Sequence, residues 1–343
     1  MNLSDPRTII VIPTFNSAED IEECLNSIIA LKLNSARIVV IDNNSIDNTI
    51  EIVRRNYPQV FVIQNSYNCG YAVGCNIGFE SFDSDYVVFV NADTSTNTNW
   101  IHDGISRMEE TFSIGASQPK ILLYSDRNKI NSSGNMANFL FFGWANGYGE
   151  PDSSDREIRK IAFASGAATI YRTSYLKRIG CFDESFFMYC EDTDLGIRLF
   201  LAGYDTIYCP DGIIYHKYRY KESGWKYQLL ERNRLMILLK TYRKKTLLAL
   251  LPIIAVSELG VILKARSEGW LTYKIISYGG VIKRLPILLK NRKNLQTIRV
   301  RSDSELFSLL KGAITFSPLD SFISKKGNEL LDKYREFLIH LRI

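Results

Sequence analysis

The first 90 residues alternate between short, continuously apolar runs and segments whose apolar residues recur every three or four positions. Continuous apolar runs are typical of strands buried on both faces, whereas the longer spacing is typical of helices. Strands are predicted at 7–13, 36–42, 59–64 and 85–93, and helices at 18–31, 47–56 and 71–82. This alternation predicts an α/β fold with a mostly parallel sheet flanked by helices.

Polar side chains follow each of these four strands. They are Pro13-Thr14-Phe15-Asn16, Asp42-Asn43-Asn44, Asn65 with Asn68-Cys69-Gly70, and Asn91-Ala92-Asp93. Asn, Asp and Ser are also common simply as loop formers. Four polar ends in a parallel sheet nevertheless meet at one edge, where such folds bind ligands. We therefore expect a ligand site there, with Asp42 accepting hydrogen bonds from a base or ribose and Asp93 available to a hard cation.

Two common nucleotide-binding motifs are missing from the sequence. No G-x-G-x-x-G follows the first strand, and no G-x-x-x-x-G-K-[ST] occurs. This argues against a dinucleotide-binding dehydrogenase and against a P-loop NTPase.

Residues 115–217 have a less regular pattern. Strands are predicted within "SIGASQPKILLY" and "IAFASGAATIYR", and two short strands within 205–217, ending at His216. The aromatic, Gly- and Asn-rich stretch 135–155 has no clear period and is predicted to be a mobile loop over the site. In it, Trp144 and Tyr148 would either stack on a sugar or anchor the loop.

The segment "FMYCEDTDLGIRL" (187–199) places Glu191, Asp192 and Asp194 at the start of a predicted helix from 192 to 202. One acid is enough to cap a helix and to complement its dipole. Three acids in four residues exceed that need, and a pocket that takes up a proton or a cation would explain the surplus. From the residues alone, capping and function remain equally open.

The charge of the chain is unevenly distributed. Residues 211–300 contain 19 Lys/Arg and 5 Asp/Glu, whereas residues 1–210 contain 16 Lys/Arg and 26 Asp/Glu. In the basic part, an amphipathic helix is predicted at 225–245, followed by the apolar segment 246–264 with Pro252 and Glu258 inside it. That segment is near the lower limit for spanning a bilayer. Basic residues among aliphatic runs fit an anionic membrane surface better than a nucleic acid, so we expect an interfacial or re-entrant helix.

The six cysteines form no C-x-x-C pair, and the N-terminus has no signal-peptide pattern. A chain of 343 residues does not need disulfides for stability. We therefore expect free thiols and a cytoplasmic location.

Five stretches of the chain together form a recognisable series: "VIPTFNSAEDIEECLNSI", "IVVIDNNSIDNTIEIV", "NCGYAVGCNIGF", "VVFVNADT" and "SGAATIYRTSYLKRIGCFDESFFMYCEDTDLGIRLFLAGYDTIYCPDGIIYH". They occur in the order typical of family 2 glycosyltransferases with the GT-A fold, and the chain resembles the rhamnosyltransferase-like branch of that family. The "RNR" at 232–234 and the basic tail resemble this branch more weakly. The resemblance implies a catalytic domain at 1–220, with a nucleotide-binding half at 1–95 and an acceptor half at 96–220. A helical, membrane-associating region at 221–343 would follow.

The resemblance also implies roles for individual residues. The donor nucleotide would contact Pro13, Thr14, Asn16, Asp42, Asn44, Asn68, Gly70, Asn76, Asn91 and Asp93. The metal, Mg²⁺ or Mn²⁺, would be held by Asp93 and His216, with Asn91 in place of the first aspartate of the family's DxD motif. Asp192 would be the catalytic base, and Asp194 would make helix-start hydrogen bonds. The acceptor side would include Gly166, Glu191, Trp144 and Arg232, with Arg232 or Arg234 helping to stabilise the leaving diphosphate.

The implied function is inverting transfer of a hexose from dTDP-rhamnose or a UDP-sugar to a glycan acceptor. The acceptor would be lipid-linked, at the cytoplasmic face of the membrane, in cell-surface polysaccharide or glycoprotein glycan assembly. Two alternatives remain: a sugar-phosphate nucleotidylyltransferase, and an inactive sugar- or membrane-binding scaffold. The acidic "PTFNSAED" (13–20) disfavours the first, since a triphosphate would need basic residues there. Retention of Asp93 and Asp192 disfavours the second.

Overall fold

The computed structural model describes residues 7–152, 157–219, 223–315 and 325–341. The chain divides into two compact units. The first comprises Met1–Asn135, Ala145–Met188 and Tyr204–Arg219, and the second comprises Met136–Trp144, Tyr189–Gly203 and Tyr220–Ile343. Besides the chain after residue 219, the second unit includes 136–144 and 189–203. A catalytic domain at 1–220 stays a prediction.

The first half of the chain forms the alternating pattern that the sequence predicts. Its elements are β1 (Thr8–Thr14), α1 (Ile21–Ile29), β2 (Ala36–Asp42), α2 (Thr49–Asn56), β3 (Phe61–Gln64), α3 (Tyr71–Glu80) and β4 (Tyr86–Val90). All residues of β1 and β4 are buried, which explains their continuous apolar runs. The four strands are parallel neighbours in the order β4-β1-β2-β3. The predicted α/β fold is therefore confirmed.

The next part of the chain extends this sheet and adds a separate pair of short strands, which lies mostly in the second unit. Next in the chain come β5 (Thr94–Thr96), α4 (Trp100–Glu110), β6 (Ile114–Leu123), β7 (Ile130–Ser132), β8 (Asn135–Ala137), β9 (Gly143–Ala145), β10 (Arg159–Ile161), β11 (Ala168–Arg172), α5 (Thr173–Ile179), a 3₁₀ turn (Glu184–Phe186) and, after the helix described below, β12 (Asp205–His216). The sheet continues as β10-β12-β6-β11-β4, with β5 paired to β12 and β7 to β6. Because β11 runs antiparallel to both β4 and β6, the sheet is mixed.

Two strand predictions in this region are wrong in detail. Residues 205–216 form one strand with a register shift between Cys209 and Ile213, not two strands. The stretch 161–172 is not one strand, since β10 ends at Ile161 and β11 begins at Ala168.

The prediction of a mobile loop at 135–155 is wrong for its first part. Residues 135–137 and 143–145 form the paired strands β8 and β9, and Phe139 and Phe141 between them are buried. Phe139 packs against Phe307, and Phe141 against Tyr242. The aromatic residues lack a helical or strand period because they fill a core rather than one face of an element. Residues 153–155 lie outside the described residues.

The second unit is helical. It contains α6 (Glu191–Leu201), α7 (Gly224–Thr241), α8 (Lys244–Ser267), α9 (Leu271–Lys283), α10 (Leu285–Ile298), α11 (Asp303–Leu309) and α12 (Lys325–His340). The prediction that 225–245 is amphipathic is wrong. Most of α7 from Leu229 onward is buried, including Glu231, Arg232 and Lys240. Glu231, Arg234 and Lys240 of α7 are therefore paired with opposite charges in an interior instead of forming a solvated face.

One close contact between α3 and the sheet can be tested by mutation. A Cβ added at Gly78 would lie 2.3 Å from Val11 Cγ1 of β1. We expect Gly78→Ala to lower the free energy of unfolding by about 1–3 kcal/mol, since overpacking displaces neighbours in a dense core. Thermal melting would measure the change. The control is Gly279→Ala in α9, where a Cβ meets no atom within 4 Å; equal melting temperatures for the two variants would contradict the packing argument.

Candidate active site

The carboxyl ends of the parallel strands bring the predicted donor residues to one edge of the sheet. In the register, Thr14 is paired with Asp42, and Asp42 with Gln64. Asp42 is fully buried, and its carboxylate accepts hydrogen bonds from the Ser45 N–H at 3.1 and 3.2 Å. Thr14 is 3% exposed, and its hydroxyl has no hydrogen-bond partner in the described part of the chain. Such an unused buried hydroxyl is available to a ligand.

Two asparagines after these strands adopt left-handed backbone conformations. Asn16 has φ 51° and Asn44 has φ 64°. The Asn16 side-chain oxygen accepts the Ile46 N–H at 2.9 Å, and the Asn16 N–H donates to Ser45 Oγ at 2.8 Å. Asparagine tolerates this conformation better than most residues, so the sequence permits two tight turns here. The turns join the loops after β1 and β2.

Gly70 occupies a position that no larger residue could take. Its φ is 87°, and an added Cβ would lie 2.4 Å from the carbonyl oxygen of Phe187. Its N–H donates to Asn68 Oδ1 at 3.0 Å, so Asn68 fixes the turn before α3. Asn68 and Gly70 of the "NCG" motif therefore shape the loop at the end of β3.

Asn76, in contrast, uses its side-chain amide for hydrogen bonds within the protein. Its Nδ2 donates to the Phe182 carbonyl at 2.9 Å and to Glu184 Oε1 at 3.1 Å, while its Oδ1 accepts the Phe182 N–H at 3.0 Å. Both amide protons are used, so the side chain positions the 182–184 segment instead of offering a donor group to a ligand.

Asp93 and His216 form the pair expected for a metal. The antiparallel pairing of β5 with the end of β12 sets Thr94 opposite His216 and so brings Asp93, the preceding residue, beside the imidazole. Asp93 Oδ1 lies 3.3 Å from His216 Nε2. Burial would raise the pKa of Asp93, but hydrogen bonding and charge from His216 outweigh it and hold this pKa below its usual value. Asn91 supports the turn with its carbonyl, which accepts the Thr94 N–H at 3.2 Å.

His216 is oriented by Asn131, a residue that the sequence analysis missed. Its Nδ1 lies 3.0 Å from Asn131 Oδ1, and both side chains are buried. Because an amide oxygen only accepts, this contact places a proton on Nδ1 and directs Nε2 towards Asp93. Metal-binding histidines are commonly fixed in this way. No sequence signal links residues 131 and 216.

The donor set of Asp93 and His216 fits a divalent cation that also binds a diphosphate. No group of three or more His, Cys, Asp or Glu side chains in metal-binding proximity occurs within the described ranges. A Mg²⁺ bound to substrate phosphates needs only one or two protein ligands, and its adjacent ligands stand about 3 Å apart. The observed separation of 3.3 Å is compatible with this arrangement.

Glu191 and Asp192 begin α6 after a strained turn. Phe187, Tyr189 and Cys190 have φ values of 68°, 68° and 62°, which cost about 1–3 kcal/mol each in residues other than glycine. Such strain is concentrated at functional sites. In the second unit, Asn233 Nδ2 donates to the Tyr189 carbonyl at 2.7 Å and so helps to hold the turn. Asn233 is a second residue that the sequence analysis did not assign.

The three acids of α6 have different environments. Asp192 is half-buried, and its Oδ1 accepts the Thr193 N–H at 2.7 Å. Glu191 is 8% exposed, and its Oε2 has no hydrogen-bond partner in the described residues. Burial, and then the Asp192 charge, raise the pKa of Glu191 to about 8. At neutral pH Glu191 is therefore mostly protonated.

Asp194 does not make the predicted helix-start hydrogen bond. The N-cap position of α6 has no side-chain cap. Instead, Asp194 is 1% exposed and forms ion pairs with Arg198 at 2.7 Å and Lys240 at 2.6 Å. It thus fastens α6 to α7 within the second unit. The surplus of acids in the motif includes one structural carboxylate.

The remaining predicted acceptor-side residues, Trp144, Gly166 and Arg232, are buried or make close contacts with neighbouring residues of the chain. Trp144 is 7% exposed, which favours the anchoring interpretation over sugar stacking. The Gly166 carbonyl accepts the Tyr71 hydroxyl at 2.6 Å, so this glycine is approached closely by Tyr71. Arg232 is 5% exposed and donates from Nε to Asn233 Oδ1 at 2.8 Å. Burial and the charge of Arg284 lower its pKa to about 10.

Two curated relatives each match about three fifths of this chain. The chain is 27% identical over 232 residues to the N-acetylglucosaminyl-diphospho-decaprenol L-rhamnosyltransferase of Mycobacterium tuberculosis, which covers 61% of this chain and 75% of that protein. It is 27% identical over 205 residues to the poly-beta-1,6-N-acetyl-D-glucosamine synthase of Staphylococcus aureus, covering 58% of this chain and 47% of that protein. The chain therefore matches about half the length of the synthase.

Solved structures and a family match agree on the fold. S. aureus TarS 1-349 superposes with a TM-score of 0.50 at 16% identity, covering 97% of this chain and 91% of that chain. The mannosyltransferase PcManGT from Pyrobaculum calidifontis, in complex with GDP-Man and Mn²⁺, also gives 0.50 at 16% identity, covering 99% and 84%. Residues 9–180 match the family described as Glycosyl transferase family 2. Since this match spans half of the chain, the protein belongs to glycosyl transferase family 2 and has a GT-A-type fold.

Proposed function

We propose that this protein is an inverting, metal-dependent glycosyltransferase that moves a sugar from a nucleoside diphosphate sugar to a lipid-linked glycan acceptor. The observation that carries the proposal is the Asp93–His216 pair at the edge where the parallel strands end. The donor would be dTDP-rhamnose or a UDP-sugar. The M. tuberculosis relative is a rhamnosyltransferase named for a diphospho-decaprenol-linked acceptor, which supports an acceptor of this class. The reaction would take place at the cytoplasmic face of the membrane, in the assembly of cell-surface polysaccharide or glycoprotein glycans.

The donor side follows from the strand ends. Asp42, fixed by Ser45, would accept hydrogen bonds from the base or ribose, and the Thr14 hydroxyl would donate to the nucleotide. Asp93 and His216 would hold a divalent cation against the diphosphate. When bound, this cation would stabilise the negative charge of the departing nucleoside diphosphate.

The acceptor side requires one base. In the proposed step, an acceptor hydroxyl attacks the anomeric carbon and forms the new glycosidic bond. The bond to the nucleoside diphosphate breaks, and the diphosphate leaves with the electron pair. Asp192 takes the hydroxyl proton. Glu191, protonated at neutral pH, would not compete for it, and a single displacement inverts the anomeric configuration.

The first prediction of this proposal concerns the donor. Melting temperatures would be measured with Mg²⁺ or Mn²⁺ and with dTDP, UDP, GDP or CMP and their sugars, because a ligand of the folded state raises the melting temperature. We expect an increase with dTDP or UDP, lost on chelation and in Asp93→Ala. Asp83→Ala is the control, since Asp83 is an exposed aspartate of the same unit whose side chain is 83% exposed. An undiminished increase in Asp93→Ala would contradict the metal role, and no increase with any nucleotide would favour the scaffold alternative.

The second prediction concerns the base. Asp192→Asn should lower kcat by about 10²–10⁴-fold, because the amide cannot accept the hydroxyl proton. The increase in melting temperature caused by the donor should stay unchanged, since Asp192 is not assigned to the donor side. The rate of transfer would be measured as the amount of glycosylated lipid-linked acceptor formed over time. Full activity of Asp192→Asn would disprove the assignment.

The third prediction uses the raised pKa of Glu191. Between its ordinary value of 4.5 and about 8, the folded chain keeps a proton that the unfolded chain releases. The folded state therefore binds more protons in this window, so stability decreases as pH rises through it. Glu191→Gln imitates the protonated acid and should reduce this decrease in melting temperature. Identical pH profiles for the variant and the native protein would show that Glu191 is ionised when folded.

A further inference from the structure

Helix α8 has an exposed face that is entirely apolar. Between Thr246 and Leu263, its exposed positions recur every three or four residues, which places them along one side of the helix. They are Leu248, Leu251, Pro252, Ala255, Val256, Leu259 and Leu263. The four leucines are 56–67% exposed, and Val256 is 64% exposed. A soluble helix normally presents polar residues on such a face, so this surface is unpartnered.

The neighbouring helices of the second unit add further exposed aliphatic residues. α9 packs against both α8 and α10. Ile275 and Ile282 of α9 are 60% and 71% exposed, and Leu289 of α10 is 55% exposed. Exposed apolar residues on three successive helices exceed the scattered single residues that are usual on a protein surface.

The ends of the α8 face are basic. Lys244 and Lys245 are exposed before its first exposed leucine. After the last one come Arg266, which is exposed, and Lys264, which is paired with Glu268 at 2.6 Å. Two copies of this chain pairing through α8 would bring basic ends together in either relative direction. An anionic bilayer surface, in contrast, complements both the apolar face and its basic ends.

The opposite side of α8 is fastened to the second unit by a buried ion network. Glu258 contacts Arg234 of α7, and it accepts hydrogen bonds from Lys274 and Tyr278 of α9 at 2.8 and 2.6 Å. Glu231 completes the network, with Arg234 at 2.7 Å and Lys274 at 2.5 Å. Burial alone would raise the pKa of Glu258, but Arg234 and Lys274 lower it to about 2. The same two cations hold the pKa of Glu231 below its usual value, so both glutamates stay ionised despite their burial.

We propose that the exposed apolar face of α8, from Leu248 to Leu263, is a monotopic docking surface for an anionic lipid bilayer, on which the helix lies parallel to the membrane plane. An interfacial helix of this kind inserts its apolar side about 5–10 Å into the bilayer. The proposal extends the proposed function, because it describes how the enzyme would reach a lipid-linked acceptor. It does not depend on sugar transfer, and vesicle binding tests it alone.

Helix α8 is the one helix in the described ranges that is long and apolar enough to cross a bilayer. The ion network argues against crossing. If α8 spanned the hydrocarbon, Glu258 would either carry Arg234 and Lys274 into it or lose them, and both outcomes are costly. A helix lying at the interface keeps the network inside the protein and places only the apolar side in lipid.

Vesicle co-sedimentation of the full chain tests the surface. The probes are vesicles of phosphatidylcholine alone and of phosphatidylcholine with phosphatidylglycerol, both without nucleotide. We expect binding to the anionic vesicles and a loss of about a hundredfold in Leu251→Glu combined with Leu259→Glu, because two exposed leucines no longer enter lipid. The control is Phe112→Glu in the first unit, which places the same charge at an exposed apolar position outside α8 in the chain; Phe112 is 75% exposed. It should bind like the native protein.

Further measurements distinguish lost membrane docking from misfolding, from dimerisation and from a membrane-spanning helix. Since both leucines are exposed, the double variant should keep its melting temperature and its response to donor nucleotide, which distinguishes lost docking from lost folding or lost donor binding. Lys244→Gln with Lys245→Gln should weaken the preference for anionic vesicles. Undiminished vesicle binding by the leucine variant would overturn the proposal. So would concentration-dependent dimerisation that the same variant abolishes, or resistance of bound protein to alkaline carbonate, which would indicate a spanning helix.

Discussion

The parallel pairing of β4, β1, β2 and β3 is the constraint on which the donor site depends. Parallel strands all end at the same edge, so the residues that follow them are neighbours whatever their separation in sequence. The register that pairs Thr14 with Asp42 fixes the first two loops. The wholly buried β1 holds this register, because a shift by one residue would misplace every side chain against the helices. The chemistry at the edge therefore depends on the packing of an apolar strand.

In the second unit, the comparable constraint is the pairing of buried charges. Asp194 is held by Arg198 and Lys240, and Glu258 by Arg234 and Lys274. Removing one partner of such a pair leaves an uncompensated charge in a poorly solvated interior. These pairs therefore specify which face of each helix points inwards. They explain why α7 carries so many charges and yet is buried.

The sequence predicted the elements whose signal is local and missed contacts that depend on distant residues. The strands β1 to β4 are each centred on a short apolar run, and the prediction of these four strands was confirmed. Asn131 and Asn233 were not assigned, because their partners His216 and Tyr189 lie 85 and 44 positions away. Charges on α7 are periodic in the same way whether they meet water or buried partners, so an amphipathic surface helix was predicted wrongly. The mobile loop predicted at 135–155 was wrong at 135–145 for a related reason, because residues that fill a core need not recur with a fixed period.

The arrangement of helix α8 depends both on its local sequence pattern and on contacts with residues distant in the chain. Its composition alone leaves spanning, interfacial and buried arrangements open, because Glu258 is compatible with each. In the structure, Glu258 faces α9 and accepts hydrogen bonds from Lys274 and Tyr278. The side of α8 that carries Glu258 therefore contacts the protein, and the opposite, apolar side is exposed. A single carboxylate thus determines the rotation of the helix about its axis. The same ion network that stabilises the second unit therefore leaves the leucines of α8 on the outside, where only a low-polarity partner can cover them.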